Sequence, residues 1–441
     1  MISTMLNVHF DEYIAMVRVG MHARNIKMSF QKEAGNAKDA EDITFCYDVL
    51  KDVGRSFAAV IMQLHVDLRD AVCLFYLVLR ALDTIEDDMD VAVEEKLNSL
   101  PTFHEHLQDL EWCMTGVGKG TEKALLEQFY RVSRECKKIK PEFQEIISDI
   151  CQQMAVGMCH FLKHDVVTKD DYNLYCHYVA GLVGQGLSRL FSCSGLEDAS
   201  VGRDLHKANE MGLFLQKINI IRDYHEDISE SPPRIFWPID IWSRFGSSMQ
   251  DFTDPHHHSR AMECLHAMIA DAVTHIPACI EYLAALKEPS VLLFSAIPQV
   301  MAIASLAVLY NNAKVFTGEE KVKIRKGLAC KIIMNCGTME GAMQQFLVHL
   351  EELDAALLEE DPSYDITKQR LAVARGAIFS HLDVKLMKLS YAKRLLVHYP
   401  TLGGKKVLSM ANTLTGGYFS STSTTTTTTT TSSEKTVDES Q

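Results

Sequence analysis

The chain is poor in the features that would mark a strand-built, secreted or nucleic-acid-binding protein. Proline accounts for 11 of 441 residues and aromatics for 8%. Alternating β-branched stretches are scarce, and most apolar residues recur at spacings of three and four, the helical period. The expected fold is therefore all-α. Twelve cysteines are scattered without a CxxC pair. Cys73, Cys176 and Cys330 lie inside apolar helical pattern as small hydrophobes do, which fits a reducing compartment. Basic residues are outnumbered, 44 Lys and Arg against 58 Asp and Glu, for a net charge of -14. That balance excludes a general nucleic-acid binder, because phosphate backbones need clustered cations. It leaves anionic substrates open, since divalent ions at carboxylates invert the local sign. The opening residues Met1 to Leu6 soon meet Asp11 and Glu12, without the basic region or long apolar core of a signal peptide. One uncharged run is long enough to cross a bilayer, Val291 to Ala313. It contains Ser295, Pro298, Gln299 and Ser305 and ends in Tyr310-Asn311-Asn312, so we read it as a buried core helix.

What is abundant is apolar helical sequence: 47% of residues are hydrophobic, enough for a large core. A lead-in over 1–41 carries the turn signal Gly35 to Asp39. A single all-α domain is expected over 42–395. A disordered Thr/Ser-rich tail over 396–441 includes the homopolymer Thr424 to Thr431, which cannot bury a core.

Two acidic segments carry the chemistry. Tyr76 to Asp88 reads YLVLRALDTIEDD, an apolar run ending in four carboxylates, with Asp83 and Asp87 one helical turn apart on one face. Their repulsion disappears if they share a hard cation such as Mg²⁺, which takes oxygen ligands and completes its shell with substrate phosphates. From Gly212 to Asp227 the spacing recurs: Gln216, Asn219, Asp223 and Asp227 form one polar stripe on a helix otherwise core-like (Leu213, Phe214, Ile218, Ile220, Ile221). Buried polar groups need partners, so the stripe suggests a cavity lining. Arg80 and Arg222 lie beside the carboxylates, as local ion pairs or as diphosphate-binding forks.

Other segments read less specifically. Tyr175 to Leu187 should be a buried helix whose glycines (Gly181, Gly184, Gly186) admit a neighbouring helix or ligand. Gly184-Gln185-Gly186 has no preceding strand and Arg at position 189, so it is no dinucleotide-binding turn. His104-Glu105-His106 lacks a metal-binding spacing, and His256 to His258 sit in a polar connector. Arg234 to Pro238 is aromatic-rich and expected to pack. Lys321 to Lys326 is a basic run, a solvated face or a holder of a cofactor phosphate.

In order along the chain, Tyr76 to Asp88, Tyr175 to Gly184 (YCHYVAGLVG), Met211 to Asp227 (MGLFLQKINIIRDYHED), Phe236-Trp237-Pro238 and Ala296 to Ala302 (AIPQVMA) closely resemble the eukaryotic squalene synthases, over roughly Phe45 to Met339. The resemblance implies an isoprenoid-synthase helical bundle around a central cavity. It implies head-to-head condensation of two farnesyl diphosphates to presqualene diphosphate, then NADPH-dependent reduction to squalene. Metal ligands would be Asp83, Glu86, Asp87, Asp223 and Asp227, holding Mg²⁺. Tyr175 would assist proton removal, and Phe294 would face the carbocation. Arg55, Ser56, Arg80, Gln216, Asn219 and Arg222 would contact substrate. Arg55, Arg80, Arg222, Lys323 and Arg325 would serve the cofactor.

The chain departs from the family at Ile218 (usually threonine), Gly54 (commonly serine), Leu292, Leu293 and Ser295, all near the expected cavity. These bear on the reductive half, so an enzyme stopping at presqualene diphosphate or making another C30 product stays open. So does a prenyl-diphosphate binder without catalysis. The resemblance also implies the cytosolic face of the endoplasmic reticulum, although no C-terminal anchor of the family's kind is visible. By itself the chain reads as soluble and is taken as a monomer.

Overall fold

The computed structural model describes residues 41–54 and 56–382, with Glu12, Ala15 and Met16 ahead of them; of Ser56 it describes the backbone alone. Arg55, the lead-in turn, the poly-threonine tract and the expected boundary near residue 395 lie outside the described residues. The chain divides into two compact units, Met1–Ile378 and Phe379–Gln441. The first is the subject here. All its described elements are helical, as expected.

The helices that matter are α1 (Glu41–Gly54), α2 (Val66–Asp87), α3 (Pro141–Phe161), α4 (Lys169–Cys176), α5 (Leu182–Ser194), α6 (Leu205–Arg222), α7 (Tyr224–Ser229), α8 (His258–Val273), α9 (Ile276–Ala285), α10 (Pro289–Leu309) and α11 (Met339–Ala356). The helical pattern that leads from Phe45 into the first acidic segment is divided among three elements: α1 ends at Gly54, a short helix follows over Ser56–Ile61, and α2 starts at Val66. His65 caps the restart by accepting from the Asp67 backbone N–H. At the other end, Asp88 accepts from the Gly118 N–H at 2.6 Å, where Gly118 has φ +80°. Lys96 donates to the Glu86 carbonyl at 2.5 Å. The Glu86 carbonyl, one of the last of α2, and the Asp88 side chain are thus tied to the segments that follow.

A capping box between Thr168 and Asp171 starts α4. It runs into a π turn over His177–Gly181 before α5 begins. The glycines of this segment admit a neighbour, as their cost inside a helix suggested. A Cβ on Gly184 would lie 2.2 Å from the Ala208 carbonyl oxygen, and one on Gly212 2.2 Å from that of Ala180. The backbones of α5 and α6 therefore touch, which side chains elsewhere prevent.

The second acidic segment was expected as one helix from Gly212 to Asp227. In fact α6 stops at Arg222; Asp223, with φ -92° and ψ 8°, caps it and starts the short α7. The stripe is broken at its third member. Trp237, buried, donates its indole N–H to the Ile220 carbonyl at 3.3 Å, satisfying one of the last groups of α6.

The uncharged run is α10, mostly buried against α6 and α11, in keeping with a core helix. Among the described residues it is the one helix apolar and long enough to span a bilayer. Glu197 fixes its start by accepting from the Lys287 and Glu288 N–H groups at 2.9–3.0 Å. Pro298 inside it withholds a hydrogen bond from the Phe294 carbonyl. All twelve cysteines are free thiols, most of them buried.

Candidate active site

Helices α2, α5, α6 and α10 enclose a cavity of about 270 Å³. Its wall is hydrocarbon: Phe75, Leu79, Met154, Val179, Val183, Leu187, Phe191, Leu215 and Phe294 among others. Polar side chains come from α2 (Tyr76, Arg80, Asp83), α6 (Gln216, Asn219), α9 (Tyr282) and α10 (Ser295, Gln299), the charged ones from α2 alone. Phe294 is buried in the wall, edge-on to Phe191 at 5.9 Å and 84°.

Glu86, Asp87, Asp223 and Asp227 lie outside this lining, beyond Asp83 on α2 and beyond Asn219 on α6. They are joined by a residue that the sequence assigned to packing. Arg234 pairs with Asp87 at 2.6 Å and Glu86 at 3.5 Å, while its backbone N–H donates to the Asp227 carbonyl at 2.9 Å. A lone cation just after a carboxylate helix, in a segment held extended by two prolines, was the available signal. The same guanidinium lies over Phe236, 5.0 Å from the ring centroid. Phe236 in turn stacks on Tyr175 at 4.8 Å and 22°. Tyr175 is buried, within reach of the charges of Glu86, Arg234 and Asp87.

Electrostatics mark the place. Burial raises the Asp83 carboxyl to about 7, with Arg80 opposing and Asp87 adding to the effect. Burial raises Asp227 to about 7 as well, against Arg234 and helped by Asp223, Glu226 and Asp87 on the facing helix. Glu86 also rises, through burial and then the charge of Asp87. Burial works against ionised Asp223, yet Arg222 and Lys321 hold its pKa below the ordinary value. Burial and the charge of Glu86 push the Tyr175 phenol well above its ordinary value, so it is neutral here.

The arginines divide. Arg222 forks onto its neighbour Asp223 at 2.8 and 2.7 Å, the local ion pair of the two alternatives. Arg80 instead donates to the Tyr76 hydroxyl at 3.1 Å and lies 3.8 Å from Glu122. Lys321, unremarked within the basic run, pairs with Asp223 at 2.9 Å and Glu226 at 2.6 Å. Lys323 lines a second, adjoining chamber of about 200 Å³ with Asn219, Arg222, Ile218 and Ser305. Arg325 lines neither chamber and pairs with Glu12 at 2.7 Å. Arg55 and the Ser56 side chain lie outside the described residues.

The donor set suits a hard divalent ion: carboxylates from two facing elements, three of which have their pKa values raised by burial and mutual repulsion, which a bound cation relieves. Among the described residues, however, no three His, Cys, Asp or Glu side chains converge on one point. Arg234 supplies the neutralising charge in this arrangement. His106 is half-buried and stacks on Trp112 at 4.1 Å and 9°, and His256 and His257 are exposed ahead of α8.

The squalene/phytoene synthase family profile matches residues 50–327. The chain belongs to the squalene/phytoene synthase family. Within this family it is 44% identical to the squalene synthase of Mus musculus over 367 residues, 83% of this chain and 86% of that one. It is 46% identical to that of Homo sapiens over 330 residues, 75% and 78% of the two chains. The solved complex of TcSQS with the ligand E5700 superposes with a TM-score of 0.76 at 51% identity, covering 78% of this chain and 99% of that one. The family match begins inside α1 and ends past the basic run, so it contains both acidic helices, Tyr175, Arg234 and α10.

Proposed function

We propose that this family member is a squalene synthase, condensing two farnesyl diphosphates head to head into presqualene diphosphate and reducing it with NADPH to squalene. The observation that carries the reading is the junction of two unlike surfaces. A hydrocarbon cavity opens, through Asp83 and Asn219, onto carboxylates presented from two sides. That is the shape of a site that grips a diphosphate at one end and shelters an isoprenoid chain at the other.

Asp83, Glu86 and Asp87 from α2, with Asp223 and Asp227 beyond α6, would hold Mg²⁺, which neutralises the charge building on the departing diphosphate. Arg80, Arg222 and Arg234 present guanidinium groups for phosphate oxygens, which fork geometry suits. As the allylic C–O bond breaks, its electron pair leaves with the diphosphate. The remaining allylic cation is kept from water by the apolar wall, with the Phe294 face available for cation–π attraction. Closing the cyclopropane ring releases a proton. Tyr175, neutral and 4.8 Å from Phe236, relays that proton toward the diphosphate rather than taking it as a phenolate. NADPH would supply hydride to the second step, its phosphates near Lys323 and Arg222 at the adjoining chamber. The implied setting is the cytosolic face of the endoplasmic reticulum.

Incubation with farnesyl diphosphate, Mg²⁺ and NADPH, read by mass spectrometry, should yield squalene; folded protein without turnover sinks the proposal. Ile218, buried in the second chamber where the family usually has threonine, favours one rival. If it blocks reduction, products with and without NADPH are identical.

A further inference from the structure

Behind the site, on the side of α6 turned from the cavity, lies a buried polar network that no step above uses. Lys217 is 1% exposed and Asp271, on α8, 3%. The Lys217 ammonium donates to Asp271 at 2.5 Å and to the Asn173 side-chain oxygen of α4 at 2.6 Å. It also lies 5.0 Å from the Tyr172 ring centroid. Lys169, one turn before Asn173, closes the network by pairing with Asp271. Taking two charges into a core is expensive, and such a pair rarely adds stability over well-packed apolar side chains. Its worth lies in the geometry it enforces.

That geometry is specific. An α-helix turns about 100° per residue, so positions two apart point about 200° from each other. Asn173 stands two residues before Tyr175, and Lys217 two residues before Asn219. Each network member therefore faces backwards from a residue of the site. Gripping the backs of α4 and α6 together against α8 sets the rotation of both. The Tyr175 ring then meets Phe236 while Asn219 reaches the cavity. α4 is the leading end of a helical run that continues through the π turn into α5, and the network fixes the phase of that end.

We propose that Asn173, Lys217 and Asp271 are positioning residues for Tyr175, fixing the phase of its helix against the carboxylate site. The inference rests on the role given to Tyr175 above. Two variants test it. Lys217→Met/Asp271→Leu replaces the pair by apolar groups while Lys169, whose side chain is 43% exposed, turns to water. Asn173→Ala leaves the pair whole and frees α4. The double variant should melt at or above the wild-type temperature. Its kcat should fall about 10- to 100-fold with KM changed less than about twofold, as expected when a reacting group is misplaced while substrate binding is kept. Asn173→Ala should fall in the same direction by less. Neither loss should add to that of Tyr175→Phe, since both act through one side chain. Fluorotyrosine placed at position 175 reports independently of turnover. Its fluorine NMR line should shift and broaden in both variants. Losses that multiply with Tyr175→Phe, or wild-type kcat in folded variants, overturn the proposal. So does an unchanged fluorine line, whatever reaction the enzyme runs. A shifted line in protein that makes no C30 product upholds the positioning and faults only the assigned reaction.

Discussion

Without metal, this fold should lose stability as the solution becomes alkaline, in a window where most proteins change little. Asp83 and Asp227 both titrate at about 7 in the folded chain, because burial and neighbouring carboxylates disfavour their charge. In the unfolded chain each titrates at about 3.9. Between those values the folded state holds a proton that the unfolded state has released, so stability falls as pH rises. From about pH 6.5 to about pH 8 the loss is roughly 0.8 kcal/mol for each of these two groups, and Glu86, raised to about 8 by burial and by Asp87, deepens the fall over the same window. Asp223 does not offset it: its pKa is depressed, and its contribution is complete well below this window. His275, buried and shifted down against Glu210, acts in the opposite sense around its unfolded value of about 6.5 and partly offsets the fall at the low end of the window. Saturating Mg²⁺ binds the ionised carboxylates of the folded state, so neither state holds these protons and the slope is abolished. Urea unfolding at several pH values, in EDTA and in Mg²⁺, reads both slopes. A metal-free stability that is flat or rises toward pH 8 refutes the reasoning. So does a fall that Asp83→Asn/Asp227→Asn leaves intact.

Three further outcomes follow from the same geometry. Asp83→Asn should abolish turnover in protein that melts no lower than wild type, because it removes a buried charge while keeping its shape; near-normal activity refutes the metal role. Arg234→Met strips the cation from Glu86 and Asp87 and should destabilise the metal-free protein by about 1–2 kcal/mol, given that Asp87 is half exposed. Calorimetric melts should show Mg²⁺ restoring that loss; a deficit insensitive to Mg²⁺ counts against a shared site. Gly184→Ala drives a methyl group against the Ala208 carbonyl and should cost about 3 kcal/mol or more, measured by urea unfolding, with no compensating shift available to a backbone oxygen.

Some of this was plain in the sequence, for reasons that differ residue by residue. The carboxylate spacing of Asp83 and Asp87 is local, and so is the apolar context of Asn219, so both survive into the cavity and its rim. Gly184 was legible as a close approach because glycine inside a helix is unfavourable unless something else needs the space, whereas its counterpart Gly212 passed unnoticed at the start of the second acidic segment. Ser295, Pro298 and Gln299 likewise marked α10 as protein-facing. What escaped depends on distance or on tertiary override. Arg234 meets Glu86 across 148 positions, and nothing in Arg-Ile-Phe-Trp-Pro announces the partner. The break at Asp223 carries no glycine or proline; it accompanies the Arg222 fork and the Trp237 bond at the end of α6. The Lys217 pair stayed hidden because lysine on a helix ordinarily reads as surface.

The π turn at His177–Gly181 has a consequence for how the enzyme can vary. One residue beyond regular α-helical winding rotates everything after it by about 100° relative to everything before. Tyr175 lies on the near side of that offset, and Val179, Ala180, Val183 and Gly184 of the hydrocarbon wall on or beyond it. The Tyr175 face and the hydrocarbon wall are thus two keys cut on one rod at different angles. Deleting a single residue there would turn one against the other, so substitutions that respect the close approach at Gly184 can reshape the wall while insertions and deletions in this segment cannot.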